Sequence, residues 1–81
     1  MFLIHVRNAR TVDLYGCDQI TNDGLIHLTN ATTVDIRFCQ GITDAGLQHL
    51  TNAREVNLWG CLQITNAAKA ALRARGVNVM G

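Results

Sequence analysis

Three blocks of this chain can be laid on one another without a gap. Residues 11–32 read TVDLYGCDQITNDGLIHLTNAT, residues 33–54 read TVDIRFCQGITDAGLQHLTNAR, and residues 55–76 read EVNLWGCLQITNAAKAALRARG. Val12, Val34 and Val56 coincide, as do Cys17, Cys39 and Cys61, and each unit repeats an Ile-Thr pair (Ile20 and Thr21, Ile42 and Thr43, Ile64 and Thr65), all at an offset of 22 residues. A period of this length predicts a solenoid, because one such unit cannot bury its own apolar face and must stack on its neighbours. Residues 3–9 (LIHVRNA) match the back half of a unit, and residues 76–81 (GVNVMG) resemble the start of one after a one-residue deletion. The expected organisation is therefore a single domain over residues 1–81, with a half-unit 1–10, units 11–32, 33–54 and 55–76, and a terminal strand 77–81.

Within each unit the apolar period changes. Val34-Asp35-Ile36 alternates inward and outward, as do Val12-Asp13-Leu14 and Val56-Asn57-Leu58, which is the strand period. Thr43 and Asp44 then read as a helix start, with the threonine accepting from a free amide and the acid at the positive end. Leu47 and Leu50 share a buried face, and Asn52 is a candidate left-handed stop. The third helix is richer in alanine, ends at Gly76, and has Lys69 where the other units have Leu25 and Leu47. It leans on helix propensity more than on burial. The fold class expected is α/β: a short solenoid with about four short parallel strands on a concave face and helices on the convex face.

Residues 31–39, ATTVDIRFC, follow the leucine-rich-repeat phrase, with alanine at its first position. With the following QGITDAGL, this stretch resembles the cysteine-containing class of leucine-rich repeats; residues 17–25 and 61–68 carry the same motif in part. That class is familiar from the substrate-recognition halves of F-box proteins. The resemblance implies a protein-binding role, with a ubiquitin-ligase scaffold as a possible partner. Here the repeat is shorter than is usual for the class.

Charge and composition exclude several alternatives. The net charge of +1, with acids and bases interspersed, offers no field for nucleic acid or an anionic membrane. No apolar run approaches the roughly 20 residues of a membrane span, and the start MFLIHVRNAR lacks the layout of a signal peptide. Three cysteines, all at one repeat position, argue against a disulfide framework and for a reduced, cytoplasmic setting. A row of equivalent cysteines does not converge as metal ligands must, so the expected role is filling the corner after each strand. His5, His27 and His49 form a second row with no acid placed to orient them, and the chain has no serine. Neither an enzyme nor a cofactor is expected.

The outward strand positions vary where the inward ones do not. They run Thr11, Asp13, Tyr15; Thr33, Asp35, Arg37; Glu55, Asn57, Trp59; and Gly76, Asn78, Met80. Tyrosine, arginine and tryptophan dominate interface hot spots, and the only tyrosine and tryptophan of the chain stand in this row. The protein-binding residues expected are Asp13, Tyr15, Asp35, Arg37, Phe38, Asn57, Trp59 and Asn78, holding a protein or peptide. Internal packing is the competing reading, including an Arg37 guanidinium lying on Tyr15 or Trp59. Half-units at both ends also suggest self-assembly, head-to-tail or as a dimer, into a homo-oligomer.

Overall fold

In a computed structural model that describes residues 10–81, the chain forms one four-stranded parallel sheet with helical segments on its other face. The strands are β1 (Thr11–Asp13), β2 (Thr33–Asp35), β3 (Glu55–Asn57) and β4 (Asn78–Met80), in the spatial order of the sequence. Thr11 faces Thr33, which faces Glu55, so β1 to β3 pair at the repeat offset. The expected α/β arrangement with four short strands is therefore formed. The expected half-unit 1–10, with His5, falls almost entirely outside the described residues.

One core runs the length of the stack. Val12, Val34 and Val56 are buried beneath the sheet, and Leu14, Ile36 and Leu58 continue it past the strand ends. The helical side returns Leu25, Leu28, Leu47, Leu50 and Leu72, and Ile20, Ile42 and Ile64 seal the loops. Each Leu or Ile so buried contributes about 1.5–3 kcal/mol, which is how a chain of this size gains stability.

The helices differ in kind. Asn22–Leu28 and Asp44–His49 are 3-10 helices, whereas Asn66–Ala74, here α1, is a true α-helix. Seven and six residues of 3-10 helix at about 2.0 Å rise span roughly 14 and 12 Å, and nine of α-helix at about 1.5 Å span roughly 14 Å. The α-helical unit thus needs more residues to cross the same distance. This corrects the expected end of the chain. Instead of a one-residue deletion, the third unit carries an insertion, and Glu55 faces Asn78 at an offset of 23. Val79 faces Val56, and Met80 faces Asn57 rather than extending the row of Trp59. Gly76, at φ 88°, ends α1 as expected, and Val77 turns inward with its N–H donating to Leu72 O (3.1 Å). Only Leu72 of α1 is fully buried, as its alanine content and Lys69 suggest.

Two expected helix signals work differently. Thr43 does not cap its own helix. Its N–H donates to Asn22 Oδ1 of the preceding unit (2.9 Å), and its hydroxyl accepts from Asn22 Nδ2 (2.7 Å). One unit on, Asp44 accepts from Thr65 N–H (2.8 Å) and from the Thr65 hydroxyl (2.6 Å). Because that hydroxyl donates to Asp44, its lone pair remains to accept from Ala68 N–H, and the cap forms only there. Asn52 likewise adopts no left-handed conformation, since Phe38 is the only described non-glycine residue with positive φ. Its Nδ2 donates instead to Thr29 O of the unit before (2.7 Å). Both side chains tie neighbouring units together rather than finishing their own.

Candidate interaction surface

The short strands end in a repeated local device. Asp13 Oδ1 accepts from Tyr15 N–H (3.1 Å), Asp35 Oδ1 from Arg37 N–H (3.1 Å), and Asn57 Oδ1 from Trp59 N–H (3.2 Å). These are Asx turns, in which a short polar side chain mimics a backbone turn. Asp13, Asp35 and Asn57, expected as binding residues, thus have a structural task that accounts for their recurrence. Each turn projects the residue two positions on, and those residues are Tyr15, Arg37 and Trp59.

Asp35 does more than turn the chain. Arg37 Nε donates to Asp35 Oδ1 (2.9 Å), and Arg37 Nη2 donates to Asp35 Oδ2 (2.7 Å), a forked ion pair. The side-chain bond from Arg37 holds the Asp35 carboxyl below the usual carboxylate range and relieves the facing of Asp13 and Asp35 across β1 and β2. The guanidinium carbon lies 4.6 Å from the centroid of the Tyr15 ring. Tyr15 in turn meets Phe38 edge-on, with ring centroids 5.5 Å apart at 64°. Asp35, Arg37, Tyr15 and Phe38 form one connected cluster.

Phe38 has the least comfortable backbone of the cluster. Its φ is 62°, where the equivalent residues of the other units are Gly16 at 70° and Gly60 at 76°. A bulky residue there costs about 1–2 kcal/mol relative to glycine. The ring lies over Gly60, where an added Cβ would collide with it. Trp59 stands beyond it, 61% exposed, and Tyr15 is 54% exposed. Asn78 lies apart, opposite Glu55 at the start of its strand, and does not join the cluster.

Sequence reasoning missed Leu62, which is 83% exposed. A signal was present, because this leucine stands where the other units have Asp18 and Gln40. With Phe38, Trp59, Ile64 and Lys69 it lines a groove of about 490 Å³ reaching Gly81. The Gly60 carbonyl is fixed at one side of this region by Gln40 Nε2 (2.8 Å).

The cysteine row is structural where it is buried. The Cys39 thiol donates to Leu14 O (3.0 Å) and the Cys61 thiol to Ile36 O (2.9 Å), each reaching back to the preceding unit. Burial pushes the Cys39 thiol up to about 11 and raises Cys61 as well, so neither is poised as a thiolate. Cys17 and the two described row histidines, His27 and His49, are half-buried. Among the described residues no three His, Cys, Asp or Glu side chains are grouped to hold a metal ion. No helix among them is long and apolar enough to cross a membrane.

No family model matches the chain, and no curated protein matches it with significant similarity.

Proposed function

We propose that the chain is a short leucine-rich-repeat solenoid of the cysteine-containing class and acts as a protein–protein interaction module. It would hold a protein or peptide on the open face of its sheet. The motif at residues 31–47, the in-register stack of units and the thiol-to-carbonyl bonds between units support the repeat class. The observation that carries the binding role is the cluster of Tyr15, Arg37 and Phe38 beside Trp59 on one exposed surface. Its arginine is fixed in advance by Asp35 and Tyr15, which lowers the entropy lost when a partner immobilises it. A strained Phe38 where the other units have glycine is a second support, since such strain collects at functional positions.

Selection of peptides from a random library against the folded chain tests this. Enriched peptides should lose at least about tenfold in affinity with Trp59→Ala or Arg37→Ala while the circular dichroism spectrum is unchanged. Failure to enrich any peptide, or binding indifferent to Tyr15, Arg37, Phe38 and Trp59, overturns the reading.

A second reading, self-assembly, is favoured by the Leu62 groove and by charge. Residues 11–32 carry Asp13, Asp18 and Asp23 and no lysine or arginine, with Arg10 just before them, whereas residues 55–76 carry Lys69, Arg73 and Arg75 against Glu55. Opposite ends of the stack are thus complementary to each other in a second copy.

A further inference from the structure

A second cleft lies away from the aromatic cluster, at the N-terminal ends of the strands. It encloses about 370 Å³ and is lined by Arg10, Asn30, Thr32, Asn52 and Arg54, with no acid and no apolar side chain among them. The two arginines stand at the same place two units apart, with Thr32 between them. At about 4.8 Å per strand their backbones are roughly 10 Å apart, so long side chains from both can converge above Thr32.

The backbone beneath them is hydrogen-bonded from unit to unit. Arg10 O accepts from Thr32 N–H (2.7 Å), Thr33 N–H (2.9 Å) and the Thr32 hydroxyl (3.1 Å). Thr32 O accepts in turn from Arg54 N–H (2.7 Å) and Glu55 N–H (3.0 Å). Among the described residues neither the Arg10 nor the Arg54 guanidinium has a hydrogen-bond or ion-pair partner. The one ion pair among the described residues is Arg37 with Asp35, and residues 1–9 contain no carboxylate. Thr29 O, a helix-end carbonyl that would repel an anion, is already taken by Asn52 Nδ2 (2.7 Å).

We infer that this cleft binds a phosphate monoester or inorganic phosphate, gripped by the guanidinium groups of Arg10 and Arg54 with the Asn30 amide as a further donor. Two planar forks can each make paired bonds, and a single carboxylate has only two oxygens to satisfy one fork. A phosphoryl group presents three acceptor oxygens that share up to two charges, which matches two guanidinium groups. The site is independent of the aromatic surface, so it can hold or fail whether or not that surface binds a peptide.

Amide-resolved NMR titration of the whole chain tests it, with inorganic phosphate, phenyl phosphate and acetate added at constant ionic strength in sodium chloride. Phosphate and phenyl phosphate should give saturable shifts at Asn30, Thr32 and Thr33, with acetate at least about fivefold weaker. Arg10→Ala and Arg54→Ala each remove an exposed side chain and leave the backbone bonds in place. Each should weaken phosphate binding by about tenfold, while Arg37→Ala leaves it unchanged. Arg54→Lys, which keeps charge but loses the fork, should fall between wild type and Arg54→Ala. A peptide bearing phosphoserine separates the two sources. Tighter binding than inorganic phosphate assigns the site to a phosphorylated partner, and equal binding assigns it to free phosphate. Shifts no larger than those caused by chloride, or shifts that persist in the double variant Arg10→Ala, Arg54→Ala, overturn the inference.

Discussion

Phe38 separates what stabilises this protein from what distinguishes it. Its left-handed backbone costs about 1–2 kcal/mol, and its edge contact with Tyr15 returns about 0.5–1.5 kcal/mol. Phe38→Gly relaxes the backbone and loses the ring, so the two effects nearly cancel. Its unfolding free energy in urea should lie within about 1 kcal/mol of wild type. A loss beyond about 2 kcal/mol would make Phe38 a packing residue and remove its strain as an argument for binding. The buried thiols give a prediction of opposite kind. With its thiol raised to about 11, Cys39 keeps its proton in the folded chain above the pH at which an unfolded thiol, near 8.5, releases it. The folded state therefore binds more protons in that interval. Its stability is full below about pH 8.5 and falls as pH rises toward 11. Urea midpoints at pH 7 and pH 10 should show this fall, reduced in Cys39→Ala. Iodoacetamide on the native chain at pH 8 should modify half-buried Cys17 before Cys39 or Cys61. Equal labelling of all three would mean that the thiol-to-carbonyl bonds are not holding the units closed.

At the scale of elements, the chain is held between units as much as within them. Asn22 makes two bonds to Thr43, and Asp44 makes two to Thr65, so the first helical residue of one unit organises the helix start of the next. The fit around this link is close, because a Cβ on Gly46 would collide with Asn22 Oδ1. Asn22→Ala leaves the Thr43 N–H and hydroxyl without their partner and should cost about 1–2 kcal/mol in thermal or urea unfolding. No measurable loss would show that water replaces the amide there. This layer was illegible in the sequence for a physical reason. Threonine before an acid has the same appearance whether it caps its own helix or answers the unit before, and only the stacking geometry decides. The strands were legible, because Val-Asp-Ile and its repeats admit only one inward set. The register of β4 was not, since GVNVMG pairs plausibly at either of two offsets and the extra residues of α1 choose between them. Of the surface residues, Tyr15, Arg37 and Trp59 stood out by varying where their neighbours repeat. The Asx turns beneath them, and the exposure of Leu62, required the folded backbone to be seen.

For the whole molecule, the stack is polar from end to end. Asp13, Asp18 and Asp23 outnumber Arg10 toward one end, and Lys69, Arg73 and Arg75 lie toward the other with the groove around Trp59 and Leu62. Among the described residues the outer edges of β1 and β4 have no strand beside them. A second copy approaching head-to-tail would bring opposite charges together, steering encounter before apolar contact forms. Burying an exposed leucine contributes about 1.5–3 kcal/mol, enough that one residue can decide a weak association. If copies assemble through this end, sedimentation of the wild-type chain should show mass rising with concentration. The rise should weaken between 0.05 M and about 0.5 M salt, as screening shortens the reach of the charges. Leu62→Asp places a carboxylate in the groove and should return the protein to a monomer at the same concentration. Tyr15→Ala, at the opposite end of the aromatic row, distinguishes the two uses of the surface. It should weaken a selected peptide, and its effect on sedimentation reports whether the first unit forms the other half of the contact. A monomer at every concentration would leave the exposed Leu62 and Trp59 to a different partner and remove self-assembly as their explanation.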